Sequence, residues 1–78
     1  MRIYKLELTY ELLQKVSWDF YDSHIVVAKN GTEAREVAKT KTGDEGVDVW
    51  DDADLTLIGD YTGTETRPFI ACSSFNAG

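Results

Sequence analysis

Between Arg2 and Thr9 apolar and polar positions alternate, with Tyr4, Leu6 and Leu8 on one face and Lys5, Glu7 and Thr9 on the other. A period of two marks a strand with one buried face. Tyr10 to Ser17 is ambiguous: Leu12, Leu13 and Val16 have helical spacing, and a long loop or a strand extension fits as well. From His24 to Lys29 the central Ile25-Val26-Val27 favours an extended chain, because β-branched side chains are stiff at χ1. Its unbroken apolar run predicts a strand buried on both faces. Asn30-Gly31 alone would signal a hairpin turn, but the residues after it repeat with a helical period. Asn30 and Glu33 fit a capping box, and Ala34, Val37 and Ala38 form an i, i+3, i+4 stripe. The pattern predicts a helix from Gly31 or Thr32 to Lys39, with Lys39 and Lys41 suiting the dipole at its end.

Thr40 to Asp54 is polar, with Gly43 and Gly46, and is punctuated by Val47, Val49 and Trp50. Trp50 is expected to lid the edge of the core. Leu55 to Gly59 reads as a third strand, a loop with Gly63 and Pro68 follows, and Phe69 to Ser74 reads as a fourth. The order β-β-α-β-β predicts one α+β domain over residues 1–78, a single-layer four-stranded sheet with one helix packed on one face. If the second and third strands are parallel neighbours, their connection should be right-handed.

Composition narrows the partners more than the fold. A 78-residue chain that is 42% apolar supports one thin core, which leaves a homodimer or higher oligomer open as a way to cover sheet. A net charge of −6 without a basic patch argues against direct nucleic-acid binding and against an anionic membrane surface. It favours a partner with a basic surface. Cys72 is the single cysteine, so neither a disulfide framework nor a cysteine zinc site is expected, and its strand-like neighbours predict a buried, inert thiol. The amino-terminal residues do not resemble a signal peptide and no apolar run approaches a membrane span, so the expected compartment is the reducing cytoplasm.

Asp22, Ser23 and His24 are the residue types of a hydrolase triad, but side chains alternate on an extended backbone, so Ser23 should face away from the other two. Asp22 and Ser23 are expected instead to bond nearby backbone amides at the strand's entry. His24 is the only histidine, so a histidine-based metal site is not expected, and it reads as a surface or sheet residue. Asp44, Glu45, Asp48, Asp51, Asp52 and Asp54 form an acidic run. Counted from Asp48 as a calcium loop, Ala53 and Gly59 stand where a glycine and a closing glutamate are needed. The run reads as a solvated loop, with an adventitious cation site or mimicry of a nucleic-acid backbone as lesser readings. Trp18, Phe20 and Tyr21 read either as core anchors of a long loop or as a stacking platform. No catalytic residue, metal or cofactor is expected.

Tyr21-Asp22-Ser23 with the run Ile25 to Ala28, then Glu33-Ala34-Arg35, Trp50, Ile58-Gly59 and the ending Ser74-Phe75-Asn76-Ala77-Gly78, resemble a family of very small proteins encoded mainly in phages and prophages. The resemblance implies a phage accessory protein acting in the host cytoplasm, and implies no reaction. Two functions follow as expectations. One is counter-defence by binding and inhibiting a host immune protein or complex, as anti-CRISPR proteins do. There the acidic loop Asp44 to Asp54, Asp51 and Asp52 included, would meet a basic surface, with Trp50 as its anchor. The other is an oligomeric small-molecule binder that sequesters a nucleotide immune signal. That site would draw on Trp18, Tyr21, Asp22 and Ser23 with Ser74, Phe75 and Asn76 of the tail. An enzyme ranks behind both.

Overall fold

A computed structural model describes residues 1–16 and 18–77. Ser17, at the end of the ambiguous segment, and Gly78, which closes the family-like tail, lie outside the described residues. The elements are β1 (Arg2–Glu7), α1 (Tyr10–Leu13), β2 (Phe20–Ala28), α2 (Gly31–Ala38), α3 (Val49–Asp52), β3 (Asp54–Asp60) and β4 (Phe69–Asn76). The four strands form one antiparallel sheet in the order β3-β1-β2-β4. The fold is a small α+β domain, as the alternation and the helical stripe predict.

The second and third predicted strands run parallel but are not neighbours, because β1 lies between them. The connection through α2 therefore crosses over β1, and β3 and β4 become the two edges of the sheet. Helix α2 rests on β2 and β1, capped as the sequence predicts: Asn30 Oδ1 accepts from Glu33 N–H at 2.9 Å, and Glu33 Oε1 accepts from Lys29 N–H at 2.8 Å. At eight residues it is too short to hold alone. Ala34 and Ala38, fully buried, let it approach the sheet closely. Under it lie Tyr4, Leu6 and Leu8 of the β1 segment and Val26 and Ala28 of β2, each large side chain here contributing about 1.5–3 kcal/mol by leaving water.

Two short helices join the one expected. Tyr10 to Leu13 resolves as a helical turn whose Leu12 N–H donates to Thr9 Oγ1 at 3.1 Å, burying Leu12. Val49 to Asp52 forms α3, whose own cap, Asp48, makes no side-chain bond to it. Arg35 of α2 fastens it instead, donating through Nη1 to the carbonyls of Trp50 and Ala53 at 2.8 and 2.9 Å.

The opposite face of the sheet holds a smaller apolar group. Val27 is 2% exposed, pairs with Phe69 in β4, and Phe69 meets the Tyr61 ring edge-on at 5.5 Å. Val26 and Val27 are thus buried on successive faces, as the aliphatic run predicts. Cys72 departs from expectation: it is exposed, because β4 is an edge strand with most of its side chains in solvent.

Candidate functional site

Strand β2 starts at Phe20, earlier than its aliphatic run, because the chain's last residues extend β4 alongside it: Phe20 pairs with Asn76 and Tyr21 with Phe75. The predicted binding residues before the strand and in the tail are therefore brought together as strand partners. Between Tyr21 and Ser23 the register slips, so Asp22 is the extra residue of a bulge. A bulge breaks alternation, and Tyr21 and His24, three apart, meet with ring centroids 5.3 Å apart. Tyr21 also meets Phe75 edge-on at 4.8 Å, and Lys41 Nζ stands 5.5 Å from the Tyr21 ring centre.

The bulge changes the reading of the apparent triad. Ser23 Oγ donates to Asp22 Oδ1 at 3.3 Å in place of the backbone-amide bonds expected of these two residues, and the Asp22 carbonyl accepts from Leu8 N–H at 2.9 Å. His24 is not a surface residue but is 1% exposed, between the rings of Tyr21 and Trp50. Its Nε2 lies 3.0 Å from the Lys41 carbonyl, which can only accept, so Nε2 carries the proton. Nδ1 is then the acceptor for Ser73 Oγ at 2.6 Å. Burial lowers the His24 pKa, outweighing the favourable carbonyl bond and the nearby Glu45 charge. His24 ties β2, β4 and the loop after α2 together as a neutral imidazole.

The acidic run is not uniformly solvated. Glu45 is buried, and its carboxylate gathers three N–H groups: Oε1 accepts from Tyr21 at 3.1 Å and Gly43 at 2.9 Å, and Oε2 from the Trp50 indole at 3.2 Å. Trp50 is fully buried against His24, so its indole belongs to the core and is not offered to a partner. Beside Glu45, Asp44 N–H donates to the Asp19 carbonyl at 2.7 Å and Asp44 Oδ2 accepts from Asp19 N–H at 3.1 Å. A side chain at Gly43 would begin 2.6 Å from the Asp19 carbonyl, so only glycine lets the loop lie this close to β2. Gly46 follows at φ +76°, a left-handed turn.

This docking merges two surfaces that the sequence leaves as alternatives. The start of the acidic loop and the Trp18–Ser23 segment occupy one end of the sheet. Trp18 is 73% exposed and Phe75 51%; Asp19, next to Trp18, and Asp44, bonded to Asp19, are exposed, and Asp22 in the bulge is half-buried. Trp18 also has φ 70°, uncommon for any residue but glycine and costly for a bulky one. Ser74 and Asn76 are exposed beside Phe75. Asp51 and Asp52 lie apart, in α3, with Asp51 paired to Lys39 at 2.8 Å. That pairing raises the Lys39 pKa.

Glu45, Ser73, Lys41 and Gly43 are the residues that sequence reasoning missed. Only Gly43 carried a local signal, as a glycine in a polar segment that Val47, Val49 and Trp50 punctuate. Among the described residues no group of His, Cys, Asp and Glu side chains is arranged to hold a metal ion, and no helix is long and apolar enough to cross a membrane. Compared with protein-family models, curated proteins and solved structures, the chain matches none.

Proposed function

We propose that this protein is a non-catalytic phage accessory protein that acts in counter-defence, binding and inhibiting a host immune protein or complex through the aromatic, acid-ringed end of its sheet. The observation that carries this reading is Trp18. Its indole lies in solvent on a strained backbone, and neither the exposure nor the strain serves the core. Exposed aromatics of this kind supply much of the energy of protein interfaces. The neighbouring carboxylates of Asp19, Asp22 and Asp44 add complementarity to a basic partner and steer its approach. The resemblance in Tyr21-Asp22-Ser23 and the tail supports a phage origin, and with it action in the host cytoplasm.

Co-expression with a panel of defined host immune complexes tests this reading. One complex should lose activity and co-purify with the protein, and its affinity should weaken as salt screens exposed charges over about 10 Å. Trp18→Ala should weaken that complex by at least about tenfold with the melting temperature unchanged. A complex indifferent to Trp18 and to salt would overturn the proposed surface.

A second reading, an oligomeric binder that sequesters a nucleotide immune signal, draws support from Lys41. This ammonium beside the Tyr21 ring sets a cation next to a stacking surface. A panel of cyclic nucleotides that leaves the melting temperature unmoved would remove it.

A further inference from the structure

The two edges of the sheet are protected very differently. Edge strands present unpaired backbone donors and acceptors, and proteins guard them with charges and bulges. Strand β3 has both: Asp54 and Asp60 at its ends, and a register shift where Ile3 pairs with Gly59 but Tyr4 with Leu57, leaving Ile58 as the extra residue. Two β3 strands paired antiparallel about Leu57 would set Asp54 of each copy against Asp60 of the other. Strand β4 shares the bulge, since Ile25 pairs with Cys72 but Val26 with Ile70 and Ala71 is the extra residue, yet it lacks the charges. From Pro68 to the last residue no side chain is charged, in a chain that is 28% charged overall, and Ala71, Cys72, Ser74, Phe75 and Asn76 are exposed.

We propose that β4 is a homodimer interface, at which a second copy of this chain adds its own β4 antiparallel across a two-fold axis. Four strands from each copy then make one sheet of eight. Antiparallel pairing also resolves the electrostatics of joining two chains of net charge −6. The Asn76 end of β4 lies beside Phe20, close to Asp19, Asp22 and Asp44, while its Phe69 end follows exposed Arg67 and lies beside Val27, close to exposed Lys29. Each copy's end with Asp19, Asp22 and Asp44 is thereby laid along the other's end with Arg67 and Lys29, an excess of opposite charge that Lys41 at the first end and Glu65 at the second reduce but do not cancel. Phe75, half exposed in one chain, gains cover from the partner strand, which gives the uncharged tail a role that the monomer does not use.

The full chain at about 0.1 mM, examined by sedimentation and by native mass spectrometry, should be a dimer of 8.8 kDa protomers. Ser74→Lys brings like charges together across the pairing edge and should raise the dimer dissociation constant at least about tenfold, with the circular dichroism unchanged. Arg67→Glu should weaken the dimer at low salt, and the pair Asp54→Lys with Asp60→Lys should leave it intact. A spin label on Cys72, the single cysteine, reads the edge directly. Joined β4 strands place the labels within about 20 Å, whereas joined β3 strands separate the labelled strands by seven spacings, roughly 30 Å. A monomer at all concentrations, labels at the longer distance, or a dimer unaffected by Ser74→Lys overturns the proposal.

Discussion

Glu45 accepts the indole N–H of Trp50 inside the core, a bond of 3.2 Å between two residues that both begin as members of an acidic, apparently solvated run. The same carboxylate holds the backbone of Tyr21 at the start of β2, so one side chain joins the loop, α3 and the sheet. Where the chain looks least structured it is fastened by a buried acceptor, and the aromatic end of the sheet takes its shape from that fastening.

Glu45→Ala should be among the most damaging single changes. It leaves three N–H groups without their acceptor, each costing about 1–3 kcal/mol if it stays buried. The sum is a large share of the 5–15 kcal/mol typical of a whole domain. Glu45→Gln retains one acceptor oxygen and should be milder. Urea unfolding of the two variants measures the difference, and equal loss would show that the acceptor oxygen kept in the amide contributes nothing.

Gly43→Ala should cost about 1–3 kcal/mol, because its new methyl group meets the Asp19 carbonyl and the Phe20 backbone, neither of which can rotate away. Gly46→Ala, with open space around it but φ +76°, should lose only about 1 kcal/mol from backbone strain. The order of the two melting temperatures checks the assignment, since a loop not docked on β2 would reverse it.

Arg35→Ala should release α3 from α2. Two carbonyls, of Trp50 and Ala53, lose a charged donor, for an expected cost of about 1.5–3 kcal/mol. Hydrogen exchange should rise first at α3 and the loop before it. Uniform protection across the variant would argue that Trp50 packing alone holds that helix.

His24 makes stability depend on pH. Burial holds its folded-state pKa below the ordinary value of about 6.5, so below that pH the unfolded chain binds more protons than the folded one. Its contribution is fully present above about pH 6.5 and is lost as the pH falls from there through the folded-state value. Urea midpoints measured from pH 8 down to pH 5 should decline in the native protein. In His24→Gln, less stable at every pH, the part of the slope beginning near neutrality should vanish, and an unchanged slope would assign it to carboxylates instead.

The local elements were written in the order of the residues. Alternation marked β1, β-branched residues marked the centre of β2, and Asn30 with the Ala34-Val37-Ala38 stripe marked α2, because each depends on neighbours a few positions away. The aromatic cluster before β2 and the tail from Ser74 were also visible, as candidate binding residues. What only the tertiary structure decided depends on partners far apart in sequence. His24 finds Ser73 at a separation of 49 residues, and Tyr21 finds the Glu45 carboxylate at 24. The bulge at Asp22, which turns Tyr21 toward His24, exists only because β4 pairs alongside, and no local propensity encodes it. Burial decided the rest: it made Trp50 and Glu45 core residues, left Cys72 in solvent, and left Trp18 outside, where binding can use it.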